Sequence, residues 1–218
     1  MVINLGNQQS FVSQLVSELR DAKIQSDSMR FRRNLERIGE FFAYEISKKL
    51  HYENREVVTA LGTATVPVLK EFPILATILR AGLPVHKGLL NIFDKSENAF
   101  VSAYHDHSKE DQFMVDVEYV SSPELTGRTL IISDAMLATG HSMFQTYKAL
   151  IGIGKPAHTH IVSVVASAQG IEYLKSSLPK TGTTIWVGAI DDELTAHGYI
   201  VPGLGDAGDL AYGKRHDF

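Results

Sequence analysis

Short apolar runs alternate with segments of helical periodicity along most of the chain, and this alternation limits the fold most strongly. Apolar runs occur at "PILATIL", "AFVSAY", "TLIIS", "HIVSVVAS" and "TTIWVGAI". Helical segments such as "LPVHKGLLNIF", "SMFQTYKALIGIG" and "AQGIEYLKSSL" separate several of these runs. Strands that alternate with helices form βαβ units, in which parallel strands are covered by helices. We therefore predict an α/β fold with a mainly parallel central sheet flanked by helices.

The first fifty residues instead predict helix. Apolar residues recur at steps of three and four from Phe31 to Leu50, which makes one helical stripe, and Ser26 and Asp27 are suitable caps at its start. The same segment carries four arginines, Arg30, Arg32, Arg33 and Arg37. These arginines form a solvated face and pair with Glu36 and Glu40, or, alternatively, one of them binds an anionic ligand or a second subunit.

Two further segments predict strands outside the βαβ units. The stretch "VVTALGTATVPVL" is β-branched and contains Gly and Pro, which indicates strand and turn. The alternating stretch "FMVDVEYV" is a hairpin partner for "AFVSAY" across the polar segment "HDHSKEDQ", and this hairpin predicts a flap. With no internal repeat or long linker, we expect a single domain over residues 1–218, with a helical arm over 1–52 and an α/β core over 53–218.

Composition removes several classes of function. The net charge of −4 gives no reason to expect nucleic acid as a partner. The absence of cysteine excludes thiol catalysis, disulfides and thiolate zinc sites. The N-terminus lacks the features of a signal peptide, and no apolar run approaches the roughly 18 residues that span a bilayer. We expect a soluble cytoplasmic protein without a membrane partner.

Two histidine pairs are weak candidates for metal binding. His105 and His107 flank Asp106, and His158 and His160 lie on one predicted strand. Neither pair has a further ligand at zinc spacing. We therefore expect His158 and His160 to be structural or surface residues.

The stretch "SDAMLATGHS" follows the strand "TLIIS" and predicts an anion site. We expect the strand to end at Asp134 and a helix to begin near Ser142. Gly140 permits a tight or left-handed turn, so that the amides of residues 137–142 form a nest to which the helix start adds its dipole. Thr139 and Ser142 offer hydroxyls to a phosphate, whereas Asp134 suits ribose hydroxyls or a bridging metal. The alternative is an ordinary strand–helix turn with an incidental Thr-Gly.

Two other strand ends carry unusual residues. In "TILRAGLP", Arg80 directly follows a buried strand and can fork onto a phosphate or pyrophosphate; alternatively, it pairs with a surface carboxylate. In "GYIVPGLGDAGD", glycines let the main chain fold tightly against a flat ligand, and main-chain groups match the donor and acceptor pattern of a pyrimidine edge. Asp206 and Asp209 add carboxylates there. The alternative is a glycine-rich loop that merely closes the fold. Because such sheets bind ligands beyond the carboxyl ends of their strands, we expect these loops to meet.

The sequence resembles the uracil phosphoribosyltransferase family along nearly its whole length. The resemblance is carried by "RFRRNLERIGE", "ATILRAGLP", "DAMLATGHS" and, most specifically, "YIVPGLGDAGDLAYG". It implies a type I phosphoribosyltransferase fold, here with the N-terminal helical arm and the β-hairpin flap, and a C-terminal uracil-binding loop. The implied substrates are uracil and 5-phosphoribosyl 1-diphosphate (PRPP). Magnesium is the usual cofactor, with no metal ligand assigned here, some members respond to GTP, and members form homodimers or larger homo-oligomers.

The resemblance also implies site residues. Those implied to bind PRPP are Arg80, His105, Asp134, Ala135, Met136, Leu137, Ala138, Thr139, Gly140, His141, Ser142 and Asp206. Those implied to bind uracil are Ile200, Gly205, Asp206 and Ala207. We expect the catalytic roles to fall on Arg80, Asp134 and Asp206.

Three positions depart from the pattern of the family. Ala135 stands where proline is common, His141 where a small residue is usual, and His105 where an arginine that contacts PRPP is expected. The expected reaction joins uracil to PRPP and yields UMP and pyrophosphate. The alternative function is that of a regulator that senses PRPP or a nucleotide on the same fold, with little or no turnover.

Overall fold

The computed structural model describes residues 1–105 and 115–215. The strands are β1 (Val2–Asn4), β2 (Tyr52–Thr59), β3 (Gly62–Leu69), β4 (Ile74–Leu79), β5 (Asn98–His105), β6 (Val115–Ser121), β7 (Thr129–Leu137), β8 (His158–Ser167), β9 (Thr183–Asp191), β10 (Glu193–Leu194) and β11 (Ile200–Val201). Seven of them form one sheet in the order β1-β9-β8-β7-β4-β5-β6. Within it, only β5 and β6 pair antiparallel. The prediction of a mainly parallel central sheet is therefore confirmed.

Helices cover both faces of this sheet. They are α1 (Phe11–Arg20), α2 (Ser28–Ser47), α3 (Leu83–Ile92), α4 (His141–Ile151), α5 (Ala168–Ser177) and α6 (Ala207–Tyr212). One core joins α1, α2 and α3 to sheet residues such as Ile131. A second core joins α4 and α5 to residues such as Ile132. Neighbouring residues of a strand point to opposite faces, so β7 serves both cores. Among the described residues, none of the helices combines the length and apolarity needed to cross a bilayer.

The sequence predicted α2 and its cap correctly. The Asp27 carboxylate accepts hydrogen bonds from the amides of Met29 (3.0 Å) and Arg30 (3.1 Å), which satisfies amides left free at a helix start. The arginines of the segment bind different groups within the fold. Arg33 pairs with Glu36 at 2.8 Å and Arg30 with Glu18 at 2.9 Å, while Arg32 donates to the carbonyl of Ala211 in α6 at 2.5 Å and Arg37 lies over the Phe11 ring.

Close contact between α2 and α3 fixes the segment that follows β4. A Cβ on Gly88 would lie 1.9 Å from the Glu36 carbonyl oxygen, and one on Gly39 would lie 2.3 Å from the Val85 carbonyl oxygen. Because these distances are far below van der Waals contact, only glycine permits this approach of the two helix backbones. Helix α2 therefore packs directly against α3, the helix that follows Arg80.

Three features correct or extend the sequence predictions. The first fifty residues are not entirely helical, because β1 adds a parallel edge strand beside β9. A strand of three residues is too short to show a period, so the sequence did not reveal it. The stretch predicted as strand and turn forms the antiparallel pair β2–β3, a separate sheet whose first strand is exposed throughout. Helix α6 was not predicted within the glycine-rich C-terminal segment.

The antiparallel pairing of β5 and β6 confirms the predicted hairpin. The segment predicted to act as a flap, residues 104–114, lies mostly outside the described residues.

The chain leaves the two central strands in opposite directions. From β4 it continues through α3 to β5 on one side, whereas from β7 it continues through α4 to β8 and through α5 to β9 on the other. Such a divergence opens a crevice at the carboxyl ends of the two adjacent strands. The crevice between the ends of β4 and β7 is therefore where a ligand of this fold is expected.

Candidate active site

The loop after β7 forms one wall of the crevice. The strand runs three residues past Asp134, to Leu137, and α4 begins at His141, one residue earlier than predicted. Gly140 caps the helix with φ of 87° and offers no side-chain hydrogen bond to it. The amides of the first helical turn lack intrahelical partners, and their dipoles point out of the helix start. The Thr139 hydroxyl accepts from the His141 amide at 3.4 Å, and the positive end of the helix dipole favours an anion at this loop.

Residues of α5 hold this loop from behind. A Cβ on Gly140 would lie 2.8 Å from Cδ1 of Tyr173 and 3.0 Å from the Gly170 carbonyl oxygen. The His141 ring stacks on Tyr173 with a centroid distance of 4.3 Å. Together, these contacts leave no room for a side chain at position 140 and hold the His141 ring against α5.

Sequence reasoning missed Ser167, which supports the same loop. Its hydroxyl donates to the carbonyl of Ala138 and accepts from the amide of Gly170 at 2.8 Å. The sequence signal for Ser167 as the cap of α5 was present, since serine is a favoured helix cap. That signal does not show that the hydroxyl hydrogen is directed at a loop 29 residues away in sequence.

Asp134 lies beside this loop in an environment that opposes its charge. The residue as a whole is half-buried, and Oδ1 accepts from the amide of Ala135 at 2.7 Å. Burial raises the pKa of Asp134 to about 7, although the amides of Ala135 and Met136 act in the opposite direction. A carboxylate in this state gains from any ligand that replaces its lost hydration, such as a pair of hydroxyls or a cation.

Arg80 connects the loop after β4 to the C-terminal segment. Its Nη2 donates to Oδ1 of Asp209 at 3.2 Å and to the carbonyl of Gly213 at 3.0 Å. Its guanidinium also borders Gly208, where a Cβ would lie 3.7 Å from Nη2. The side chains of Arg80 and Asp209 are both about 40 % exposed (38 % and 39 %), so this pair contributes little to stability. The alternative prediction, a carboxylate partner, therefore holds in this structure, and that partner belongs to another predicted site loop.

The loop after β4 also touches the end of β7. A Cβ on Gly82 would lie 2.3 Å from Oγ1 of Thr77 and 2.8 Å from the Ser133 carbonyl oxygen. The same Thr77 hydroxyl donates to the Ser133 carbonyl at 3.1 Å. The turn that follows Arg80 is therefore packed against the residue that precedes Asp134.

The C-terminal segment brings the predicted base-binding residues together. Ile200 and Ala207 are buried, with 4 % and 3 % exposure. Gly205 has φ of 88°, which favours glycine. Asp206 caps α6 by accepting from the amide of Asp209 at 2.8 Å, and its side chain is exposed. Two side chains of the core thus lie in the same segment as an exposed carboxylate and a glycine-rich main chain.

His105 is the last residue of β5, whose neighbour in the sheet is β4. Its backbone therefore ends at the same edge of the sheet as Arg80, but its side chain lies outside the described part of the structure. His158 and His160 are far from this edge, near the start of β8. Trp186 Nε1 donates to Nδ1 of His160 at 3.0 Å, and burial, with a smaller effect of His158, lowers the pKa of His160 to about 3. His160 therefore belongs to the core, whereas His158 is half-buried and shares a hydrogen bond of 3.0 Å with the Thr184 hydroxyl.

Acidic groups in the crevice do not form a ready-made metal cage. Across residues 1–105 and 115–215, no group of three or more His, Asp or Glu side chains is arranged to hold a metal ion. Magnesium typically keeps several waters and is held through one or two carboxylates and the phosphates of a substrate. The oxygen donors of Asp134 and Asp206 suit a magnesium ion that arrives with a diphosphate.

Comparison with solved structures defines the class of protein. The AQ2163 protein from Aquifex aeolicus superposes with a TM-score of 0.86 and 28 % identity over 98 % of both chains. The orotate phosphoribosyltransferase of Mycobacterium tuberculosis, solved with PRPP, has a TM-score of 0.52 over 86 % of this chain and 94 % of its own, at 12 % identity, and shows the fold alone. The chain therefore has the type I phosphoribosyltransferase fold, with its switch point at the carboxyl ends of β4 and β7.

Sequence relatives then define the family. The profile of the family described as "Uracil phosphoribosyltransferase" matches residues 6–214. The uracil phosphoribosyltransferase of Porphyromonas gingivalis is 54 % identical over 214 residues, which cover 98 % of this chain and 99 % of the relative. That of Methanothermobacter thermautotrophicus is 37 % identical over 88 % of this chain and 87 % of the relative. The chain belongs to the uracil phosphoribosyltransferase family, which confirms the resemblance inferred from its sequence, and it is a phosphoribosyltransferase enzyme.

Proposed function

We propose that the chain transfers the 5-phosphoribosyl group of PRPP to N1 of uracil, with UMP and pyrophosphate as products. The observation that carries the proposal is the meeting of three loops at the carboxyl ends of β4 and β7. Arg80 joins the loop after β4 to the C-terminal segment, and Gly82 packs against the strand that leads to Asp134. A phosphate, a pyrophosphate and a flat base therefore each have a neighbouring set of groups suited to their chemistry.

The reaction breaks the bond between C1 of ribose and the pyrophosphate oxygen, and the electron pair leaves with that oxygen. The new bond joins C1 to N1 of uracil, and the N1 proton is released. Positive charge develops on the ribose while negative charge develops on the leaving group. Such a step is accelerated by positioning and by groups that match the developing charges. It requires no covalent intermediate with the protein.

Each loop takes one part of this task in the proposal. The helix start after β7 binds the 5-phosphate through residues 137–142, held from behind by Ser167 and Tyr173. Asp134 binds the ribose hydroxyls, which replace the hydration that its buried carboxylate lacks. Arg80 binds the pyrophosphate, because a guanidinium matches its oxygens with two parallel hydrogen bonds.

The base is held by the C-terminal segment in the proposal. Ile200 and Ala207 cover the face of uracil, and the main chain around Gly205 binds its polar edge. Asp206 faces both the base and PRPP. The main chain around Gly205 is uncharged and matches the donor and acceptor pattern of a pyrimidine edge, so uracil is the proposed base.

A magnesium ion bound with PRPP would supply positive charge that stabilises pyrophosphate as a leaving group. Asp134 and Asp206 would hold it, each sharing it with substrate oxygens and water. Activation by GTP is part of the proposal only through the resemblance to the family. The rate of UMP formation, measured with and without GTP, tests whether GTP activates the enzyme. The cytoplasmic location stays a prediction from the sequence.

A homo-oligomer, at least a dimer, is also proposed. Among residues 1–105 and 115–215, no third strand joins the β2–β3 pair, and a two-stranded hairpin is marginal by itself in water. Val58 and Leu61 at its tip are 85 % and 101 % exposed. Apolar side chains in this position are stabilised when a second copy covers them. Light scattering of the parent and of Val58→Asp tests this, and the proposal expects a lower mass for the variant.

The test of the function is UMP formation from uracil and PRPP with magnesium, followed by chromatography. Orotate and hypoxanthine serve as competing bases, and comparable product from either would contradict the proposed pocket. Family membership supports the enzyme and gives no support to the regulator without turnover. Absence of UMP from a folded, PRPP-binding protein would favour that regulator instead.

A further inference from the structure

A partly buried ion pair, Arg20 and Asp191, binds the C-terminal segment. Asp191 ends β9 and is 8 % exposed. Both of its oxygens bind the guanidinium of Arg20, at 2.7 Å and 2.8 Å. Arg20 is the last residue of α1 and comes from the N-terminal arm. Two parallel charge-assisted hydrogen bonds fix the orientation of both side chains.

The same two side chains hold Gly203 at both of its backbone polar groups. The amide of Gly203 donates to Oδ2 of Asp191 at 3.0 Å, and its carbonyl accepts from Nη1 of Arg20 at 2.8 Å. Each of the two peptide units that flank Gly203 is therefore held by a hydrogen bond to one of the two charged groups. We call Arg20, Asp191 and Gly203 the loop clamp.

Gly203 sets the turn on which the proposed uracil pocket depends. It has φ of 56°, and a Cβ there would lie 2.1 Å from the carbonyl oxygen of Ile200. The position of Ile200 is thus tied to that of Gly203 within a single turn. On the other side, Gln25 donates to the carbonyls of Leu19 and Arg20 at 3.0 Å and 3.1 Å, and its Oε1 lies 3.7 Å from where a Cβ on Gly205 would be.

We propose that Arg20 and Asp191 are positioning residues for base recognition, and that they set the affinity for uracil without touching it. The loop clamp holds the turn between Ile200 and Gly205 in the conformation that receives the base. A displacement of about 1 Å at such a site is enough to lower catalysis by about a hundredfold. This inference rests on the proposed uracil pocket, and it assigns to the N-terminal arm a role in substrate choice.

Arg20→Lys is the variant that separates positioning from charge. A lysine keeps the positive charge near Asp191, but its single ammonium cannot reproduce the fork that reaches both carboxylate oxygens and the Gly203 carbonyl. Arg30→Lys is the matched control. Arg30 lies in the same arm and binds Glu18 through Nε at 3.0 Å and Nη2 at 2.9 Å, but these bonds do not involve the C-terminal segment.

The measurement is the KM for uracil and the KM for PRPP, each at saturating concentration of the other substrate. For Arg20→Lys we expect the KM for uracil to rise by about 10- to 100-fold, while the KM for PRPP changes by less than about threefold. For Arg30→Lys we expect neither KM to change by more than about twofold. Hydrogen exchange should also become faster at residues 200–205 of Arg20→Lys, since the amide of Gly203 loses its fixed acceptor.

The outcomes distinguish this inference from the function itself. If the parent makes no UMP, the proposed function fails. If the parent makes UMP but Arg20→Lys keeps its KM for uracil, the positioning role is rejected. It is also rejected if both KM values rise by the same factor together with a lower Tm, because that result indicates general destabilisation. Should Arg20→Lys not fold, Asp191→Asn is measured by the same criteria, and failure of both to fold assigns the pair to folding alone.

Discussion

Replacing Asp134 with asparagine should make the protein more stable and much less active. The pKa of Asp134 is raised by burial from 3.8 to about 7. The folded state therefore binds this proton more tightly than the unfolded state, and the ionised form is penalised on folding. Since asparagine has the same shape and never ionises, Asp134→Asn removes the penalty and keeps the packing.

The size of the effect follows from the pKa. One pKa unit corresponds to about 1.4 kcal/mol, so the shift of Asp134 sets an upper limit of about 4 kcal/mol. Charges inside proteins behave as if in a medium with a dielectric constant of about 20, and Asp134 is only half-buried as a residue, so we expect about 2 kcal/mol. For a chain of this length, that gain raises the Tm by about 4–8 °C.

The stabilisation by Asp134→Asn depends on pH. Below pH 3.8 the carboxyl is protonated in both states and the penalty is absent. It develops as pH rises, because only the unfolded chain loses the proton at first, and it is complete above about pH 7. The stabilisation by Asp134→Asn should therefore be full at about pH 8 and mostly absent at about pH 4.

The assay is urea unfolding of the parent and Asp134→Asn at both pH values and at equal protein concentration. Asp94→Asn is the control, since Asp94 is exposed at the opposite end of the sheet. Turnover of Asp134→Asn should fall by about 10- to 100-fold, because a charge-assisted bond of about 1.5–3 kcal/mol to the ribose is lost. A variant that is destabilised at pH 8, or equally stabilised at both pH values, would refute the reasoning about burial.

Three further predictions concern PRPP. Gly140→Ala should raise the KM for PRPP at least about tenfold, because a left-handed residue with a Cβ costs about 1–2 kcal/mol and the new Cβ would also meet Tyr173. The control is Gly127→Ala, which has φ of 75° and open space around it and should therefore show the backbone strain alone. Equal KM values for the two variants would contradict the role of the loop. Arg80→Lys should weaken product inhibition by pyrophosphate about tenfold, because the bidentate contact is lost, whereas an unchanged inhibition constant would remove Arg80 from that subsite. His105→Arg should lower the KM for PRPP at about pH 8 and reduce the increase of this KM between about pH 6 and pH 8, because arginine stays charged where histidine titrates. If the KM of the variant and that of the parent change with pH in parallel, His105 does not contact PRPP.

The sequence by itself determined the elements of the fold and the loops of the candidate site. The alternation of apolar runs and helical stripes predicted the parallel sheet, because each period follows from local backbone geometry. Turn chemistry located Gly140 at a left-handed cap, and Asp27 at a helix start, for the same local reason. The rule that ligands bind beyond the carboxyl ends of strands then brought the loop around Asp134 and the one around Arg80 to one crevice.

Only the tertiary structure decided which distant groups complete that site. Arg20 and Asp191 are 171 residues apart in the chain, and nothing in either local pattern marks one as the partner of the other. The same holds for Ser167 and the carbonyl of Ala138. The raised pKa of Asp134 likewise depends on how much water the surrounding elements exclude. Periodicity encodes which face of an element is apolar, whereas hydrogen-bond partners and burial are set by how complete elements pack against one another.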